Sequence, residues 1–386
     1  MRPSAARLSL GQAAPYFPER PLVRILFAST QGAGHFGPLI PFIEACKRSD
    51  HEILIVGPPT LKARDYPFRA GAAPPDELLG PVWGRMPMLP PGQGDVVVVG
   101  VIFARLNVDA MLPTLEEAIE EWRPDLVVRE GSEFASAVAA DLHGVRHVRV
   151  AVGFSMVEEA MLAIAAPALD ARRPGLSARI AESPYLTCFP ESVDPPRFQV
   201  TRFRDPATET APQPLPDWWS GDDRPLVYVS FGSVAATFPP AASVYASALD
   251  AVAELPARGL LTTGGHDLEL GDVPANVHVE RWVAEADVLA HASAAVGHGG
   301  AGTTLSAFAA GCPLVVVPLF GDQPANAVRV AVAGAGVVSP LEGIRAGLEL
   351  VLENDRYREA SRRISDEMRA LPPIDGFLAS LTDQSG

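Results

Sequence analysis

Cysteine is almost absent: Cys46, Cys188 and Cys312 are the only three in 386 residues. They lie too far apart for a C-x-x-C redox pair or a zinc spacing, and the odd count suits a reducing cytosol, so a cytoplasmic protein is expected. Basic residues are under-represented, 31 Lys and Arg against 46 Asp and Glu, for a net charge of −15. That balance disfavours nucleic acid or an anionic membrane surface as the main partner. Apolar runs are short and interrupted by glycine, proline or charge, so no transmembrane helix is predicted. Residues 1–21 lack the apolar core of a secretory signal and read as a loose N-terminal arm. No group of carboxylates has metal-ligand spacing, and there is no short repeat.

What remains is a globular composition, 48% hydrophobic and 20% charged, in a chain longer than one core usually supports. Short apolar runs recur: Val23–Ala28, Ile53–Val56, Leu126–Val128 and Val145–Val150, then Leu226–Phe231, Leu260–Thr262, Val277–Val279, Ala294–Gly297 and Leu314–Val317. Such runs suit strands buried on both faces of a parallel sheet. Helical patterns such as Leu112–Trp122 and Thr303–Ala310 lie between them, so the fold class is α/β, two doubly wound sheets. Asp95–Phe103 (DVVVVGVIF) has strand composition yet runs into a helical pattern, and periodicity does not settle it. Residues 201–224, with four prolines and no sustained period, have linker composition. The predicted divisions are an arm at 1–21, an N-terminal domain at 22–200, the linker at 201–224, a C-terminal domain at 225–365 and a closing helix at 366–386 that returns to the N-terminal domain. Two such domains place a cleft at the carboxyl ends of their sheets.

Two glycine turns carry the chemistry. After Val23–Ala28, Gly32, Gly34 and Gly37 satisfy G-x-G-x-x-G, but the second strand ends in Gly57-Pro58-Pro59 rather than an acidic residue, so a dinucleotide oxidoreductase is disfavoured. His35 sits where the strand has ended and a helix begins, placed to take a proton from a hydroxyl, or simply to close a tight turn. Glu130 follows Leu126–Val128 at an adjacent strand end, placed to orient the imidazole or equally to serve a helix N-terminus, and Glu133 competes for either role. The second turn, His298 to Thr304, offers backbone amides to a diphosphate at a helix start, with Thr303 and Thr304 adding hydroxyls or capping. It is not a Walker A loop, because no lysine follows. Asp322 and Gln323, after the next strand, could hold sugar hydroxyls, although turn chemistry alone also produces Gly-Asp-Gln-Pro.

The stretch 282–327 resembles the donor-binding signature of the family 1 nucleotide-sugar glycosyltransferases, in their bacterial natural-product branch. The matching residues are His298, Gly300, Gly302 and Thr303 for phosphate, Asp322, Gln323 and Asn326 for the sugar, Trp282 and Val283 for the pyrimidine, and Ser233 near the diphosphate. The similarity runs nearly end to end, taking in Gln31–Pro38, Pro124–Glu130 and Glu367–Pro373. The resemblance implies a GT-B fold, the acceptor in the N-terminal lobe, the donor in the C-terminal lobe, and an inverting displacement with His35 as base and Glu130 as its partner. The nucleotide sugar would be a co-substrate, and no cofactor or essential metal is expected. Four positions depart from the pattern. Ser306 stands where plant relatives carry a ribose-binding Glu, which leans towards dTDP over UDP. Glu285 stands where relatives often have Gln, Glu130 replaces a more familiar Asp, and the chain is short between Ser339 and Ile344. Trp83, Met86, Met88, Phe154, Met156 and Met161 are candidates for an apolar acceptor pocket, with ordinary packing as the commoner explanation. A catalytically silent relative and a sugar-nucleotide epimerase are the rival readings, and a homodimer stays open.

Overall fold

The structure, a computed structural model, describes residues 22–63, 66–90, 92–218, 222–237 and 241–383; the predicted arm at 1–21 lies outside them. The first sheet is built from β1 (Arg24–Ala28), β2 (Glu52–Gly57), β3 (Phe68–Ala70), β4 (Leu126–Glu130), β5 (Arg146–Val150), β6 (Tyr185–Thr187) and β7 (Val200–Arg202). Its order is β3-β2-β1-β4-β5-β6-β7, and every pairing is parallel. The second sheet holds β8 (Leu226–Ser230), β9 (Arg258–Thr262), β10 (Val277–Glu280), β11 (Ala294–Gly297), β12 (Leu314–Val316) and β13 (Gly336–Val338). Its order is β10-β9-β8-β11-β12-β13, again parallel throughout. The chain is a GT-B fold of two α/β domains.

Four strands escaped the sequence reading: β3, β6, β7 and β13. Each has three residues, too few for a periodic signal. Thr201 and Arg202, inside the predicted linker, complete β7 at the edge of the first sheet. At the far end of the chain, Arg204 N–H donates to Pro372 O, and Ile374 and Leu378 join the core formed by Phe27, Phe42 and Phe203.

The unsettled segment Asp95–Phe103 is helical. Gln93–Val97 is α-helical, Val98–Asn107 is π-helical, and Val108–Trp122 continues the same rod. Its apolar residues face two ways, which is why no clean period appears. Val99, Ala104, Val108, Met111, Leu115 and Ile119 pack into the N-terminal core, while Val98 and Phe103 line the interdomain cleft. Contrary to expectation, this 30-residue helix, Gln93–Trp122, is long and apolar enough to cross a membrane.

Both sheets reverse strand order beside their first strand, between β1 and β4 and between β8 and β11. Loops leaving the carboxyl ends at such a point diverge and leave a crevice. His35 and Glu130 lie at the first crevice, Ser233 and His298 at the second.

Candidate active site

Period-two alternation sets the first group. In β4, Leu126 and Val128 face the core shared with Phe42, while Val127 and Arg129 face the opposite way. Glu130 therefore emerges on the Leu126 face, beside the short helix Ala33–Phe36 that carries His35. Gly32, at φ 107°, makes the turn into that helix. Glu130 is fully buried, and three donors hold it: Thr30 N–H and hydroxyl on Oε1 at 3.2 and 2.8 Å, and Ser132 N–H on Oε2 at 2.7 Å. His35 Nδ1 lies 3.2 Å from Oε2, an ion-pair contact whose angle falls short of a well-formed hydrogen bond. Phe103 packs edge-on against the imidazole, ring centroids 5.7 Å apart.

Electrostatics follow from this packing. Burial lowers the His35 pKa, but the charge and contact of Glu130, with Asp322 adding to them, outweigh it and leave the imidazole above its ordinary value. Burial raises Glu130, yet His35, Ser132 and Thr30 together hold it below the usual carboxylate range. Nδ1 is directed at an ionised carboxylate, leaving Nε2 to receive a proton from a hydroxyl in the cleft. Glu133 does something else: its carboxylate accepts from Ala135 and Ser136 N–H at 3.0 and 2.9 Å, at the start of the helix Ala135–His143. Glu130→Gln should remove the charge that raises His35, so burial then dominates and the imidazole pKa falls. The acid limb of kcat/KM should move to lower pH, and kcat should drop by on the order of 10²-fold as the imidazolium loses its counter-charge. A pH–rate profile with an unmoved acid limb would contradict this coupling.

In the second domain, His298 follows β11 and its ring lies against two glycines. A Cβ at Gly232 would stand 3.0 Å, and one at Gly300 2.7 Å, from ring atoms. Burial depresses the imidazole to about 4, so at neutral pH it offers one N–H and one lone pair. Gly299, at φ 82°, turns the chain so that the helix Ala301–Ala310 starts at the cleft. Asp322 Oδ2 accepts Asn326 Nδ2 at 2.7 Å, and the same amide donates to Gly299 O at 2.8 Å, tying the 322 loop to the glycine turn. Gln323 is more constrained than its sequence position suggests. Its Oε1 already accepts Leu319 and Phe320 N–H at 2.8 and 2.9 Å, which leaves its Nε2 to donate.

These groups border one cavity of about 620 Å³ between the lobes. Its C-terminal wall holds Ser233, His298, Gly300, Gly302, Thr303 and Asp322, with Gln323 beside them. Its N-terminal wall holds His35, Phe154, Met156 and Met161 together with the long helix. Gly153 of the N-terminal lobe comes against the Asp322 carboxylate, within 3.6 Å of where a Cβ would be, so the lobes touch beside the cavity. Trp83, Met86 and Met88 are not part of this wall. They lie on the helix Asp76–Arg85 and the turn Met86–Met88, with Trp83 49% and Met88 74% exposed. Trp282, 72% exposed, and Val283 also lie off the cavity, before the helix Glu285–His291. Thr304 is buried and is not among the residues that line the cavity. Sequence reasoning missed Val98, Val99 and Phe103, whose segment was ambiguous, and Asp95, an acidic wall residue with no motif around it.

Residues 96–195 match the N-terminal domain of the "Erythromycin biosynthesis protein CIII-like" family, and residues 246–379 match its C-terminal domain. L-demethylnoviosyl transferase of Streptomyces niveus is 30% identical over 367 residues, covering 91% of this chain and 95% of that protein. Elloramycin glycosyltransferase ElmGT of Streptomyces olivaceus is 30% identical over 378 residues, covering 92% and 95%. Among solved structures, the glycosyltransferase SnogD of Streptomyces nogalater superposes with a TM-score of 0.76 at 26% identity, covering 95% of this chain and 100% of that one. Spinosyn rhamnosyltransferase SpnG, at 23% identity, shares the fold with a TM-score of 0.77 over 93% and 99% of the two chains. The chain belongs to the bacterial natural-product branch of the family 1 glycosyltransferases, and it is a glycosyltransferase enzyme of the GT-B fold.

Proposed function

We propose that the protein moves a sugar from a nucleoside diphosphate carrier to a hydroxyl of a small lipophilic acceptor, an aromatic or polyketide aglycone, with inversion. The observation that carries this reading is the single cavity that has His35 on an apolar wall and the glycine turn with Asp322 opposite. In the step envisaged, the acceptor oxygen bonds to the anomeric carbon as the bond to the diphosphate oxygen breaks. The hydroxyl proton passes to His35 Nε2, and Glu130 stabilises the imidazolium. Charge gathering on the diphosphate meets the amides of the 298–304 turn and Ser233, an arrangement of the oxyanion-hole kind. Asp322 and the Gln323 amide would take sugar hydroxyls. These residues do this work by hydrogen bonding and placement, without a metal.

The carrier proposed is dTDP rather than UDP, since position 306 is a serine. VinC and SsfS6, two structural neighbours at 20% identity, were solved with this nucleotide. A panel of dTDP- and UDP-sugars, incubated with and without phenolic and polyketide acceptors, tests the reading. Acceptor-dependent release of free diphosphate carrier, with a product heavier by one sugar, is expected. Release without acceptor, or conversion of the sugar while still on its carrier, would point away from transfer.

A further inference from the structure

A polar spot in the apolar wall of the cavity plays no part in the step above. Glu158, on the helix Ser155–Arg172, borders the cavity and is only 4% exposed. Its Oε1 accepts from Arg149 Nη1 at 2.9 Å, which fixes the carboxylate. Its Oε2 lies against the turn after β4, where a Cβ at Gly131 would fall 2.3 Å from it. That oxygen is buried and meets no hydrogen-bond donor among the described residues. Arg129 does not supply one: its Nη1 donates to the carbonyls of Glu130, Gly131 and Glu133, and its Nε and Nη2 make no hydrogen bond among the described residues. Ser132, the next residue in the turn, also borders the cavity. Its hydroxyl donates only to the Met161 thioether, 3.8 Å away, a weak acceptor.

Burying a carboxylate oxygen without a donor is unfavourable, and native structures rarely leave one so. A hydroxyl on a bound molecule has what both groups lack, an O–H for Glu158 Oε2 and a lone pair for the Ser132 hydroxyl. An ether oxygen satisfies Ser132 alone, and an apolar group satisfies neither. The spot adjoins the reacting groups: Ser132 N–H donates to Glu130 Oε2 at 2.7 Å, and that oxygen lies 3.2 Å from His35 Nδ1. We propose that Glu158 Oε2 and Ser132 Oγ form a subsite for a second hydroxyl of the sugar acceptor, so that the acceptors taken are polyhydroxylated. One hydroxyl is held at Glu158 while another is presented to His35. Apolar contact is non-directional and orients a flat aglycone poorly, whereas this pair of hydrogen bonds selects which hydroxyl reaches the base. Glu158 does not touch the reacting oxygen; it is a specificity residue. The inference deepens the acceptor reading proposed above and rests on it.

Titration calorimetry without any nucleotide sugar tests the subsite, because it reads acceptor binding apart from transfer. The probes are naphthalenediols with different spacings between their hydroxyls. Each is set against the naphthol lacking the second hydroxyl and against its own monomethyl ether. In the wild type the best-spaced diol should bind about 10- to 100-fold more tightly than either analogue. Glu158→Gln should abolish that preference. Arg149 would hold the amide oxygen where Oε1 stood, which puts an NH₂ in the place of Oε2, and the monomethyl ether should then bind as well as the diol or better. Ser132→Ala should cut the diol preference by roughly 2- to 10-fold. A wild type that binds every diol within about threefold of its naphthol overturns the proposal, as does a diol preference that persists in Glu158→Gln. Should Glu158→Gln fail to fold, an undiminished preference in Ser132→Ala overturns it. The same probes are then offered as acceptors with dTDP- and UDP-sugars. Diol preference without any sugar transfer would sink the transfer reading and leave a hydroxyl-binding subsite; transfer without diol preference would do the reverse.

Discussion

Replacing His35 with alanine is expected to lower kcat by about 10²–10⁴-fold while leaving the affinity for dTDP or UDP nearly unchanged. The two halves of that expectation come from different lobes. His35 is the group on the N-terminal wall of the cavity with a free imidazole nitrogen, and its Nδ1 is 3.2 Å from a buried Glu130. The groups proposed to hold the nucleotide, by contrast, follow β8, β11 and β12 in the other sheet. Removing the imidazole deletes the proton acceptor without touching the glycine turn. Turnover is measured with a competent donor–acceptor pair, and nucleotide affinity by calorimetry. Turnover within a few-fold of wild type would rule out His35 as the base. A matching loss of nucleotide affinity would show that the substitution had deranged the cleft.

The largest effect on stability is expected at a pair of neighbouring strands beneath the Glu130 carboxylate. Arg129 and Arg149 are register partners on β4 and β5, both fully buried on the same face of the sheet. Two guanidiniums side by side in an apolar layer require counter-charge. Arg149 Nη1 pairs with Glu158 at 2.9 Å, its Nε meets Ser183 Oγ at 3.1 Å, and its Nη2 donates to the carbonyls of Ala181 and Ser183. Arg129 donates to the carbonyls of Glu130, Gly131 and Glu133, and its crowded, buried position depresses it to about 10. Glu158→Ala would leave Arg149 charged and without its partner, at a cost of about 3–5 kcal/mol. For a domain of this size that is a fall in Tm on the order of 10 °C. Replacing both partners by apolar residues, Arg149→Met with Glu158→Leu, should recover most of the loss, because the penalty lies in the unpaired charge. Differential scanning calorimetry checks this; a single variant that melts within 2 °C of wild type would show the pair to be dispensable.

The same pair explains a tight glycine. A Cβ at Gly131 would lie 2.3 Å from Glu158 Oε2, so the turn after β4 has no room for a side chain there. Packing thus runs from Arg149 through Glu158 to the loop that presents Glu130 and Ser132 to the cleft. None of this is visible in RHVRV or LVVRE read as strings, since a buried arginine in a parallel strand runs against composition.

Legibility differed from one feature to the next for identifiable reasons. The central strands and the two glycine turns could be read directly, because apolar runs of four to six residues bounded by glycine are local signals. His35 and Glu130 could be paired in advance because both follow strand ends, and adjacent parallel strands bring their carboxyl ends together. Glu133 could not be separated from Glu130 by sequence, since a three-residue offset after a strand reveals nothing about which carboxylate reaches back and which caps the next helix. The apolar wall of the cavity was the least readable. Trp83, Met86 and Met88 drew attention as large apolar residues but lie outside the cavity, while the long helix that supplies Val98, Val99 and Phe103 begins with a strand-like composition that periodicity does not settle.

By itself, then, the sequence determined the α/β class, the two-sheet organisation and the chemistry of the turns, because these depend on residues close together along the chain. Tertiary structure alone decided which carboxylate meets His35, and that Gln323 spends its carbonyl oxygen on its own loop. It also decided what the apolar residues of Gln93–Trp122 are for, since one face fills a core and the other borders a cavity. Hydrophobicity drives both kinds of burial alike, and only the arrangement of distant segments distinguishes them.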